Sequence, residues 1–87
     1  MAKIQILTSK FEDIKMLDKE TFDEFYSKFM EIVNSLIGLG EKMDESKAVR
    51  KILRSLPKRF KPKIVAIAES KDIDKIKIEK LRENLLT

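Results

Sequence analysis

The sequence has 87 residues, enough for one small domain, and contains no His, no Cys and no Trp. Those absences remove thiolate and imidazole nucleophiles, a His general base, a structural zinc site and any disulfide framework. The formal net charge of +4 is unevenly spread: residues 47–63 hold eight basic residues and no acid, whereas residues 1–46 hold six lysines against ten acids.

Only two Gly and two Pro interrupt a chain rich in Lys, Glu, Leu and Ile, a composition that favours helix over sheet. Ile4, Leu7, Phe11 and Ile14 recur at three- and four-residue steps and predict an amphipathic helix over 3–16. Ile6 and Leu17 fall about 100° from that stripe, where they either widen the core face or meet something outside the chain. This helix starts almost at Met1 without a convincing cap, as expected of a chain cut from a longer protein.

Thr21 followed by Glu24 forms a capping box, in which hydroxyl and carboxylate each satisfy a free amide of the first turn. The helix it opens carries Phe22, Phe25, Tyr26, Phe29, Met30, Ile32, Val33, Leu36, Ile37 and Leu39 on one half of its wheel. That stripe is about 180° wide, against the roughly 100° of an ordinary surface helix. The helix is therefore central to the fold, or one flank of it belongs to an interface. Gly38 or Gly40 supplies the left-handed residue that ends it.

Asp44 is placed to cap a third helix running to about Ser55, where Leu56-Pro57 stops it. Val49, Ile52, Leu53 and Leu56 predict its buried side. Lys47, Arg50, Lys51 and Arg54 form a row of cations on the other side. Like charges at helix spacing repel mildly, so the row reads either as a solvated face or as a surface kept basic for a partner. Pro57 to Pro62 predicts a turn with a short helical coil. The fourth helix then turns Phe60, Ile64, Ile67 and Ala68 inward. Ser70-Lys71-Asp72 breaks the pattern, Ile73 and Ile76 pin the next loop, and Ile78, Leu81 and Leu85 predict a last short helix.

No motif carries catalysis. Gly38-Leu39-Gly40 lacks the third Gly and preceding strand of a phosphate loop. Glu12-Asp13, Asp23-Glu24 and Asp44-Glu45 are adjacent pairs whose members point about 100° apart on a helix, which suits caps and surface charge. Asp72 and Asp74 lack calcium-loop spacing. No cofactor is implied. No apolar run approaches the ~20 residues of a membrane span and no signal-peptide pattern opens the chain, which is compatible with a cytosolic protein.

Five ordered blocks then carry a resemblance: Phe11-Glu12-Asp13-Ile14-Lys15-Met16, Glu20-Thr21-Phe22-Asp23-Glu24-Phe25, Gly40-Glu41-Lys42-Met43-Asp44-Glu45, Lys51-Ile52-Leu53-Arg54-Ser55-Leu56-Pro57, and Ala66-Ile67-Ala68-Glu69-Ser70-Lys71-Asp72-Ile73. Their sequence and spacing, over roughly residues 5–86, resemble the Gag polyprotein of copia-type LTR retrotransposons. Two positions depart: the family usually has Gly where Lys19 stands, and a Ser or Thr capping the last helix where Lys77 stands.

The resemblance implies an all-α, compact bundle of about five helices, a single capsid C-terminal domain (1–87) akin to those of retroviruses and Arc-type domesticated Gags. It further implies no catalytic activity and a two-fold homodimer within a shell that packages RNA, in cytoplasmic virus-like particles. A first capsid domain would precede the chain, and a zinc knuckle for RNA would follow it. For the dimer face the over-wide stripe nominates Tyr26, Met30 and Ile37, with Ile6 and Leu17 as second choices. A rival class is a nucleic-acid-binding module using Lys47, Arg50, Lys51, Arg54, Lys58, Arg59, Lys61 and Lys63, with Phe60 either stacking a base or anchoring the fourth helix. A domesticated Gag serving a host role is the third reading.

Overall fold

The computed structural model describes residues 3–69 and 75–86, and among them every regular element is helical. Five α-helices follow in order: α1 (Lys3–Asp13), α2 (Phe22–Gly38), α3 (Glu45–Ser55), α4 (Lys61–Glu69) and α5 (Ile78–Leu86). A 3-10 turn, Lys58–Phe60, stands between α3 and α4. The chain divides into two compact units, residues 1–43 and residues 44–87.

In the first unit α1 packs on α2. α1 ends at Asp13, three residues before the expected boundary. Met16 is buried between exposed Lys15 and Leu17, the alternation of an extended segment rather than a helix. The following turn holds itself: Glu20 N–H donates to the Leu17 carbonyl at 3.0 Å, and Leu17 N–H donates to Glu20 Oε1 at 2.8 Å. Lys28 Nζ from α2 lies 2.6 Å from Glu20 Oε2. These bonds satisfy the backbone groups that a longer helix would have bonded within itself.

The Leu17 amide, and after it Lys28, hold the Glu20 carboxyl below its ordinary range. A depressed pKa means the stabilisation is complete at neutral pH and fades as pH falls past 4.5 and through the lower folded value. Acidification through that window is expected to move the Leu17 amide resonance and weaken the Lys28 pair. In Glu20→Gln the Leu17 shift should lose its titration; a Leu17 amide that still titrates there would assign the effect to another carboxylate.

α2 begins as expected. Thr21 Oγ1 accepts from Glu24 N–H at 3.1 Å, and Glu24 Oε1 accepts from Thr21 N–H at 2.9 Å. At its other end Gly40 takes φ +94. Gly40 N–H bonds the Ile37 carbonyl and Glu41 N–H bonds the Leu36 carbonyl, both at 3.0 Å, which completes a Schellman motif. Phe22, Phe25, Phe29, Val33 and Leu36 are buried along the middle of the stripe, beside Phe11 and Met16. The rings form a chain: Phe29 lies 5.5 Å from Phe11 and 5.9 Å from Phe25, and Phe22 lies 6.2 Å from Phe25.

In the second unit α5 packs on α3, and the turn packs on α4. Ala48, Val49, Ile52, Leu53, Ile67, Leu81 and Leu85 are buried. Leu56 is only half-buried, because the residue before Pro57 leaves the helix for extended backbone, φ −84 and ψ 147. Buried Ser55 takes a place on that side and donates its hydroxyl to the Lys51 carbonyl at 2.6 Å. Asp44 has the N-cap backbone and its carbonyl accepts Ala48 N–H at 3.1 Å, but its side chain makes no cap bond.

Ala68 is exposed, contrary to the inward assignment, while Phe60 and Ile64 are half-buried and Ile67 carries the buried side of α4. Pro62 sits within the first turn, where its missing N–H has no helical partner to lose. At α5, Lys77 occupies the N-cap position, and its carbonyl accepts Leu81 N–H at 2.9 Å. The capping oxygen comes from α3 instead: Glu45 Oε2 accepts Ile78 N–H at 3.1 Å. The expected break at 70–72, Ile73, Asp72 and Asp74 lie outside the described residues.

Candidate assembly and nucleic-acid surfaces

The first unit leaves both flanks of the α2 stripe incompletely covered. Tyr26 and Met30 are half-buried, and Ile37 is 50% exposed. These three fall about 60–100° to one side of Phe29 on the helical wheel. Tyr26 is held there by stacking on Phe22, with ring centroids 5.8 Å apart and planes at 27°. The middle of the wide stripe is therefore core, and its edges are only partly covered.

The structure does not bring Ile6 to that flank. Ile6 lines two shallow depressions between α1 and α2 on the other side of the stripe, one with Ile14 and Ile32 and one with Lys3 and Leu39, and Lys10 borders both. Ile32 and Leu39 belong to the α2 stripe but are not among the residues it nominates for a dimer face. Their signal was an angle about 60–80° from Phe29, opposite in sense to Tyr26 and Ile37. Leu17 is exposed in the turn after α1 and belongs to neither surface.

The second unit carries the cations. Lys47, Arg50 and Arg54 are exposed on α3, and Lys51 beside them is half-buried. Lys58, Arg59 and Lys61 are exposed across the turn and the start of α4. The Arg59 guanidinium lies 5.2 Å from the centre of the half-buried Phe60 ring, a cation–π arrangement that leaves Phe60 part anchor and part surface. Arg50 and Arg54 border a shallow groove lined by Leu53, Ile64 and Ala68. That position accounts for the exposure of Ala68.

Lys63 is different. It is half-buried and donates from Nζ to the Leu85 carbonyl at 2.9 Å, placing a cation against the negative end of α5. Its work is structural, and no local pattern distinguishes it from the neighbouring cations. Among the described residues no three His, Cys, Asp or Glu side chains converge as a metal site, and no helix is long and apolar enough to cross a membrane.

These features define a class: an all-α protein in which one unit carries a partly covered apolar stripe and the other carries a basic face. The family model for the gag-polypeptide of LTR copia-type elements matches residues 1–87, and the chain belongs to that family. No curated protein and no solved structure matches it. Membership agrees with the five-block resemblance and assigns the chain a structural Gag role.

Proposed function

We propose that this chain is a capsid C-terminal domain of Gag that self-associates as a homodimer, linking copies into a shell around element RNA. A preceding capsid domain supplies the remaining lattice contacts, and the particles assemble in the cytoplasm. The observation carrying this reading is the partly covered α2 flank of Tyr26, Met30 and Ile37, apolar surface that two-fold pairing would bury on both copies at once. A standard interface buries about 800 Å² per partner, so neighbours of these three side chains must join it.

Light scattering across a concentration series tests the reading. The molar mass should rise from monomer towards dimer over the micromolar range. Ile37→Glu, which places a charge at an exposed site without entering the core, should raise the dimer dissociation constant at least about tenfold, equivalent to about 1.4 kcal/mol, with an unchanged helical circular dichroism signal. A parent chain that stays monomeric at high micromolar concentration would sink the proposal. So would an Ile37→Glu variant that dimerises as the parent does.

A further inference from the structure

The eight basic residues of 47–63 are not equivalent. Lys51 and Lys63 are half-buried, and Lys47, Arg50, Arg54, Lys58, Arg59 and Lys61 are the exposed set. Lys47 to Arg54 spans about 10 Å along α3 at 1.5 Å per residue, so the cations form a line rather than a point. Arg50 and Arg54 flank the groove against α4, and the Arg59–Phe60 pair presents a planar cation over an aromatic face.

We propose that this face of α3, the 3-10 turn and the start of α4 binds the backbone of single-stranded RNA. Arg50 and Arg54 hold phosphates, Lys47, Lys58 and Lys61 extend the track, and Arg59 with Phe60 stacks a base. Lines of cations joined to a stacking platform are how sequence-tolerant single-strand binders work. An acidic protein partner fits this face less well. Protein interfaces deplete charge at their centre and place apolar anchors there. The exposed large hydrophobic residues described in the second unit are Val65, at the middle of α4, and Leu86, at the end of α5, so neither lies on α3, the turn or the first turn of α4. Nucleic-acid interfaces are more polar and far more positive, as this one is. Only the choice of RNA as the polyanion rests on the Gag reading; the surface itself does not require dimerisation.

The test is fluorescence anisotropy of the whole chain with a labelled oligouridylate of about 20 nucleotides, from about 50 to 200 mM salt. Affinity should fall with salt at a log–log slope near −0.7 per phosphate, about −3.5 for the five cations of the track. The double variant Arg50→Glu with Arg54→Glu should bind at least about tenfold more weakly at low salt and flatten the slope by about 1.4. The milder Arg50→Gln with Arg54→Gln should flatten the slope in the same direction, which guards against misfolding of the first. Arg59→Lys keeps the charge and loses the plane, so it should weaken binding a few-fold at an unchanged slope. Lys63→Gln should lower the thermal midpoint and leave the slope alone.

Absence of binding at the lowest salt, a flat salt dependence, or parent-like binding by both Arg50/Arg54 variants would overturn the proposal. Polyglutamate of equal length bound as tightly as the oligouridylate would overturn it in favour of an acidic polypeptide. Light scattering on the same samples separates this proposal from the assembly reading. Arg50/Arg54 variants that lose RNA but keep the parent's mass support it, and Ile37→Glu should keep the RNA slope whatever its mass.

Discussion

Replacing Phe29 with alanine is expected to destabilise the chain by about 4 kcal/mol and lower its thermal midpoint by about 15–30 °C. Phe29 is fully buried, and its ring is the link between Phe11 on α1 and Phe25 on α2. Deleting it removes both aromatic contacts and leaves a cavity between two helices that pack mainly on each other. A chain of this length holds only about 4–13 kcal/mol in total, so a loss of this size takes most of the margin.

The comparison with Tyr26→Ala gives the prediction its edge. Tyr26 sits about 60° round the same helix, half-buried and stacked on Phe22, and its loss should cost about 1–2 kcal/mol. Urea or thermal unfolding followed by circular dichroism measures both. Equal losses at the two positions would mean that the middle and the edge of the stripe are not distinct, and the dimer face would have to be sought elsewhere.

That distinction is also where the sequence stops being readable. The stripe on α2, its capping box and its glycine terminus follow from local rules, and they appear at the expected residues because each depends on neighbours within four or five positions. Which part of a 180° stripe is covered depends on where α1 lies, and α1 is itself shortened by the Leu17–Glu20 turn, whose carboxylate bonds resemble ordinary surface charge in sequence. The basic face shows the same division. Helical periodicity places Lys47, Arg50 and Arg54 together on exposed α3 surface, whereas Lys51 beside them is half-buried. Lys63 was grouped with them by proximity alone, and only a contact spanning 22 positions reveals its different partner.

The capping of α5 makes the same point in a form that can be measured. Glu45→Ala is expected to cost about 1–2 kcal/mol, more than an exposed residue of a first helical turn ordinarily commands. Its carboxylate serves two helices: it is the acid in the first turn of α3, and it accepts Ile78 N–H at the start of α5, 33 positions away. The Lys77 ammonium lies 3.8 Å from Glu45 Oε1, but both side chains are exposed, so that ion pair contributes at most a few tenths of a kcal/mol. Lys77 has no oxygen with which to cap the helix it begins. Lys77→Ser supplies one, and on its own it should be neutral or slightly stabilising, since Glu45 already fills the role. In combination with Glu45→Ala it should recover about 1 kcal/mol, a coupling that a double-mutant cycle resolves above the usual additivity error of about 0.3–0.5 kcal/mol. Glu45→Gln, which keeps an acceptor oxygen and loses the charge, should fall between the parent and Glu45→Ala. If Glu45→Ala costs the same with and without Lys77→Ser, the carboxylate does not cap α5, and its contribution lies in α3 alone.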